Sequence, residues 1–174
     1  MQIVSVGIDL GKTTFHLVPL GVAAKVLVRK KFTQRQLLTY TANIQTSLIG
    51  LEACSGAHFL GRALRKQGHD VRLIAAQFVK PCVKSNKNDF VDAEAIAEAA
   101  SRPTMRFVAV KSVEKQASGM AFKTRDLLVR QRTQAINALR GHMSEYGVVA
   151  PNGPVHIARL ADAVTVPMIV CRLR

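Results

Sequence analysis

The chain holds only 11 acidic residues against 25 lysines and arginines, and four of the acids fall where chemistry could be done. Asp9 ends the apolar run that starts at Ile3, and Glu52 ends a second run that starts at Ser47. Asp89 and Asp92 open an alanine-rich segment, three residues apart, so on a helix they share one face. Functional residues of α/β proteins gather at strand ends. Oxygen donors converging from two strand ends and a helix start suit a hard divalent cation such as Mg²⁺. Pairs of such ions, ~3.5–4 Å apart, can clamp the attacking and leaving oxygens of a phosphodiester. Each acid also has a plainer reading. Asp9 could form a turn before Gly11, Glu52 could pair with an arginine, Asp89 could cap a helix, and Asp92 could complement its dipole. Spacing alone leaves both readings open; the four together favour a site.

The elements that must position these acids can be read from periodicity. Ile3 to Asp9, Phe15 to Leu20 and Ala24 to Phe32 read as three strands joined by short turns, an antiparallel meander. Thr33 to Ile44 reads as a helix, Ser47 to Glu52 as a fourth strand, and Ser55-Gly56 opens a helix that runs to Lys66 and stops at Gly68. Val71 to Ala75 is a fifth strand. The segment Ala76 to Lys80 ends at Pro81, a basic loop through Lys84 and Lys87 follows, and Asp89 to Ala100 is helical. After an extended piece at Met105 to Val110, a long helix runs from about Ser112 to about Tyr146. It carries Lys115, Lys123, Arg125, Arg130, Arg132 and Arg140. Such a helix packs on a core with a solvated outer face, or lies along phosphates or a second copy of the chain. This order predicts an α/β sheet, a meander followed by β/α units. It divides the chain into residues 1–110, a basic helical arm over 111–147, and an atypical segment over 148–174, read as a disordered or frameshifted tail.

Charge narrows the partners. A net charge of +14 on a chain that is 48% hydrophobic describes a folded basic protein, not a disordered tail. Nucleic acid is the first candidate, since its phosphates reward dispersed lysines and arginines through counterion release. Lys12, Lys84, Lys87, Lys123, Arg125, Arg130, Arg132 and Arg140 are the residues expected to meet it. No apolar run approaches the ~20 residues that span a bilayer, so a cytoplasmic protein without membrane contact is expected. Cys54, Cys82 and Cys171 read as reduced and do not pair as zinc ligands. The histidines, His16, His58, His69, His142 and His156, show no metal-ligand spacing and read as surface or packing residues, with only His58 near the acids. Aromatic residues total 5%, too few for base stacking to dominate binding.

At these residues the chain resembles the DEDD transposases of bacterial insertion sequences. The matching stretches are Val6-Gly-Ile-Asp-Leu-Gly-Lys12, Gly50-Leu-Glu-Ala-Cys-Ser-Gly56, Gly68-His-Asp-Val-Arg72, Lys87-Asn-Asp-Phe-Val-Asp-Ala93 and Arg125-Asp-Leu-Leu-Val-Arg-Gln-Arg132. They cover about Val4 to Gly147, and their order is more specific than any one of them. The resemblance implies a RuvC-like, RNase H-like amino-terminal domain in which Asp9, Glu52, Asp89 and Asp92 bind Mg²⁺ or Mn²⁺ and organise a scissile phosphate. It also implies DNA as substrate, an element-encoded guide RNA, and homo-oligomers. Family members carry a second domain with a serine nucleophile. No serine here can be given that role, so the chain reads as a truncated or frameshifted product. Gly7 to Thr14 also looks like the first phosphate loop of actin, Hsp70 and sugar-kinase ATPases, which share the core. The same basic, acid-bearing fold would also serve a non-catalytic nucleic-acid-binding module or a Holliday-junction resolvase.

Overall fold

The computed structural model of the protein describes residues 3–45, 47–83 and 88–165. The chain divides into two units, Met1–Ser112 and Val113–Arg174.

In the first unit β1 (Ser5–Leu10), β2 (Phe15–Leu20) and β3 (Lys30–Phe32) form the expected antiparallel meander. β4 (Leu48–Glu52) and β5 (Asp70–Ile74) add on the other side of β1, parallel to it and to each other. β6 (Phe107–Val108) closes that side antiparallel to β5. The sheet order is β3-β2-β1-β4-β5-β6, an RNase H-like mixed sheet. The third strand is shorter than its apolar alternation suggested. After Gly21 the chain turns through Ala23 and Ala24, both left-handed at φ 57° and 56°, and only an isolated bridge from Leu20 to Val26 precedes β3.

Strand alternation assigns the two faces of the sheet. Val6, Ile8, Phe15, Leu17, Ile49, Leu51, Val71 and Leu73 pack with Leu37 of α1 (Gln34–Ala42) and with Leu60 and Leu64 of α2 (Ala57–Lys66). The short α3 (Ala76–Val79) follows β5. The opposite face is covered by α4 (Asp89–Ser101), whose Ala93, Ala95, Ile96, Ala97, Ala99 and Ala100 are buried. α1 starts on a capping box, in which Thr33 and Gln36 satisfy each other's backbone amides.

α4 lies against bare backbone. A Cβ added at Gly7 would stand 1.8 Å from the Ala93 carbonyl oxygen and 2.6 Å from the Ala97 nitrogen. At Gly50 it would meet the Ala100 Cβ at 2.7 Å and the Ile96 carbonyl oxygen at 2.8 Å. Gly7 and Gly50 are register partners on neighbouring strands. Two adjacent glycines thus cut a shallow seat in the sheet, and a helix of small residues fills it.

The second unit contains α5 (Val113–Glu145) and α6 (Ile157–Thr165). The two helices contact each other, and Met143 and Leu160 are buried. Part of the segment read as a disordered or frameshifted tail is helical, as α6; the apolar run from Val166 onward lies outside the described residues. Arg140 donates to the carbonyls of Pro151 and Gly153 at 3.0 and 2.7 Å, tying the turn between the helices to α5. No helix among the described residues is long and apolar enough to cross a membrane.

The glycine seat makes a sharp expectation. Gly7→Ala forces backbone apart and should lower unfolding stability by about 3 kcal/mol, the upper end of ordinary overpacking. Gly141→Ala, in α5 with nothing within 4 Å of the added Cβ, should raise it by about 0.5–1 kcal/mol through helix propensity. Urea unfolding of the two variants checks both signs.

Candidate metal centre

Parity along the strands sends three polar side chains, Asp9, Glu52 and His16, to the α4 face. Gly7 and Asp9 share that face on β1, Gly50 and Glu52 share it on β4, and His16 and Val18 share it on β2. α4 begins directly over this end of the sheet, so Asp89 and Asp92 stand above the strand-end acids. Asp9 feels the charges of Asp89, Asp92 and Glu52. The four acids, distant in sequence, thus converge on one end of the sheet.

The local chemistry departs from two of the plainer readings, while Asp92 does sit in the first turn of α4, where an acid complements the helix dipole. Asn88, not Asp89, caps α4: its Oδ1 accepts from the Phe90 amide at 2.9 Å. The Asp89 carboxylate is left facing the strands, with one oxygen 3.5 Å from His16 Nδ1. The acids farther along α4 are neutralised differently. Glu94 pairs with Arg29 at 3.5 Å and Glu98 with Arg102 at 2.7 Å. Neither Asp92 nor Glu52 has a lysine or arginine partner among the described residues, so the plain reading of Glu52 as half of an arginine pair does not hold there. In a chain of charge +14, the four acids near the strand ends thus have no lysine or arginine partner among the described residues.

The electrostatic consequence falls on Asp9. Burial raises its pKa above the ordinary 3.8, and the charges of Asp89 and Asp92 raise it further. Glu52 adds to the rise, while His16 opposes it. Burial, with Glu52 and Asp9, also holds the neighbouring Cys54 thiol in its neutral form. Its reading as an ordinary reduced cysteine fits this setting.

His16 is the residue the sequence reading missed. It is Asp9's register partner on β2, and its Nδ1 lies 3.9 Å from an Asp9 carboxylate oxygen. Donor atoms of Asp9, His16 and Asp89 all lie within 4.8 Å of one another, a group that could hold a metal ion. The available signal was hairpin register. Gly11 and Thr14 close the turn, and counting outward from them pairs 9 with 16. His58, expected to be the histidine near the acids, instead accepts from the Lys111 amide at 3.2 Å.

The expected basic contacts are spread over both units. Lys12 is exposed in the β1–β2 turn and lines a cleft of about 640 Å³ with Cys54, Ser55 and Gly56 at the start of α2. Lys123, Arg125, Arg130 and Arg132 are exposed on α5, Arg125 alongside Asp126 at 3.3 Å. Arg140 is engaged with the loop after α5. Lys84 and Lys87 lie outside the described residues.

A raised carboxyl pKa has a definite sign in stability. Asp9 takes up a proton more readily in the fold than in the unfolded chain. Its contribution is full below the ordinary value of 3.8 and is lost as pH rises through the raised folded value. In metal-free buffer at pH 7, Asp9→Asn should therefore have a higher Tm than the unaltered chain. That gain should shrink as the pH is lowered toward 4, as thermal melts across the range will record.

Comparison with known proteins identifies transposase relatives. The transposase family DEDD_Tnp_IS110 matches residues 6–148. The chain is 45% identical over 162 residues to the transposase of insertion sequence element IS1328 from Yersinia enterocolitica, covering 93% of this chain and 48% of that protein. It is 42% identical over 147 residues to the transposase of insertion sequence element IS1111A from Coxiella burnetii, covering 84% and 40%. It thus spans less than half the length of these relatives. Among solved structures, RuvC of Thermus thermophilus in complex with a Holliday junction substrate aligns with 62% of this chain and 100% of its own, at 15% identity and a TM-score of 0.46. By sequence, this chain belongs to the IS110-type family of DEDD transposases.

Proposed function

We infer that Asp9, Glu52, Asp89 and Asp92 bind divalent metal, Mg²⁺ or Mn²⁺, and that this centre organises a scissile DNA phosphodiester during insertion-sequence transposition. The observation that carries the reading is the half-buried Asp9, held above its ordinary pKa by burial and by the three other acids. A fold that gathers repelling carboxylates loses stability by doing so unless a cation offsets the repulsion. When bound, such ions polarise the phosphate and stabilise the charge on the attacking and leaving oxygens. The chain's own part is geometric. β1 and β4 fix two carboxylates at the sheet end, and the first turn of α4 brings two more over them.

DNA is the proposed substrate. The exposed Lys123, Arg125, Arg130 and Arg132 of α5, together with Lys12 beside the acids, are the proposed phosphate contacts. On this reading the first unit is the catalytic domain and α5 a basic arm. A structured RNA and further copies of the chain are proposed partners, in line with the family.

Metal binding tests the site directly. Mn²⁺ titrated into the unaltered chain should raise its Tm and bind in calorimetry. Asp9→Asn and Asp92→Asn should each weaken binding at least tenfold, a loss of about 1.4 kcal/mol or more. Equal affinity in all three proteins would remove the proposed centre. The arm is tested separately by salt. The double variant Lys123→Gln, Arg130→Gln should bind duplex DNA of any sequence more weakly. Its log K against log salt slope should be shallower by about 2, near 0.9 for each lost phosphate contact. An unchanged slope in fluorescence anisotropy would take α5 out of the DNA interface.

A further inference from the structure

The four-acid centre leaves one buried atom unexplained. His16 is 8% exposed, and its Nδ1 makes no hydrogen bond among the described residues. A buried imidazole nitrogen without a partner costs free energy, and such atoms in native proteins usually mark a group that is missing. The surroundings say which kind. The nearest charged atoms are the carboxylate oxygens of Asp89 at 3.5 Å and Asp9 at 3.9 Å, too long for good hydrogen bonds. The Phe90 ring packs edge-on against the imidazole, centroids 4.8 Å apart at 79°, which holds the ring plane. Pairing of Asp9 with His16 across the hairpin holds the two side chains on one face.

Resting on the reading of this cluster as a metal centre, we propose that His16 Nδ1 is a direct nitrogen ligand of an ion shared with Asp9 and Asp89. The three donor atoms lie within 4.8 Å of one another. Opposite donors ~2.1 Å from one ion stand ~4.2 Å apart, so a small rotation of the exposed Asp89 side chain closes the set. A nitrogen donor changes what the site prefers. Carboxylate oxygens alone suit Mg²⁺, whereas imidazole raises affinity for first-row transition ions. The centre should therefore favour Mn²⁺ over Mg²⁺, and the histidine is the cause.

The probe is Mn²⁺ alone, bound to the full 174-residue chain. Electron spin-echo envelope modulation should show a coordinated ¹⁴N nucleus, replaced by the ¹⁵N pattern when the protein is made with ¹⁵N-histidine. His16→Gln should lose the nitrogen signal and weaken Mn²⁺ binding by about tenfold or more, with a smaller loss for Mg²⁺. His16→Asn, which offers a short side-chain oxygen, should recover part of the Mn²⁺ affinity without the nitrogen signal. It also serves if the glutamine variant does not fold. Mn²⁺ that depends on Asp9 yet shows no histidine nitrogen would overturn the His16 ligand and leave the four-acid centre standing. A nitrogen signal that persists in both His16 variants would also overturn it. Failure of Mn²⁺ to bind at all would remove the centre and the ligand together.

Discussion

The close seating of α4 on the sheet is the contact from which the rest of the first unit follows. Helices ordinarily rest on sheets through side chains that keep the two backbones well apart. Here Gly7 and Gly50 remove the side chains on one side, and the alanines of α4 keep those on the other side small. The gain is placement more than buried area. Asp9 lies two residues beyond Gly7, and Glu52 two beyond Gly50, so the seat and the acids share the same strand faces. A helix anchored there delivers its first turn to the strand ends with little freedom to drift. The same backbone contact that closes the core also sets the separation of the carboxylates.

Such a centre works against stability. Asp9 is taken from water and set among like charges, while Glu94 and Glu98 on the same helix have arginine partners. The difference lies in position along α4: among the described residues the acids at its start have no lysine or arginine partner, and those farther on are salt-bridged. The distribution also suits a basic protein that meets a polyanion. Exposed lysines and arginines lie along α5, while four of the eleven acids gather at one end of the sheet.

Much of this is legible in the sequence itself. The strand-end acids, the meander, the alternation of β and α, and the length of α5 follow from apolar runs and punctuation by glycine and proline. These are local signals, and the fold obeys them. What is not legible depends on geometry between segments. The segment after Gly21 reads as strand by composition, but it turns at two left-handed alanines before pairing begins. Asp89 looks like a cap because it starts the helix, yet one residue earlier Asn88 takes that role and leaves the acid to the site. His16 looks ordinary because a lone histidine on an apolar strand carries no spacing signal; only register with Asp9 reveals it. Arg140 is read as a phosphate contact by charge, and only the structure shows that one of its guanidinium nitrogens also donates to two backbone carbonyls.

The margins of the sheet have their own bearing on how copies of the chain can meet. β3 is three residues long and begins Lys30-Lys31, with the Lys30 ammonium over the Tyr40 ring at 4.4 Å. β6 at the other margin is two residues long. Brief, charged or interrupted outer strands offer few free amide and carbonyl groups in a row, the usual defence against strand-to-strand polymerisation. Short outer strands of this kind disfavour sheet-to-sheet zipping between copies of the chain.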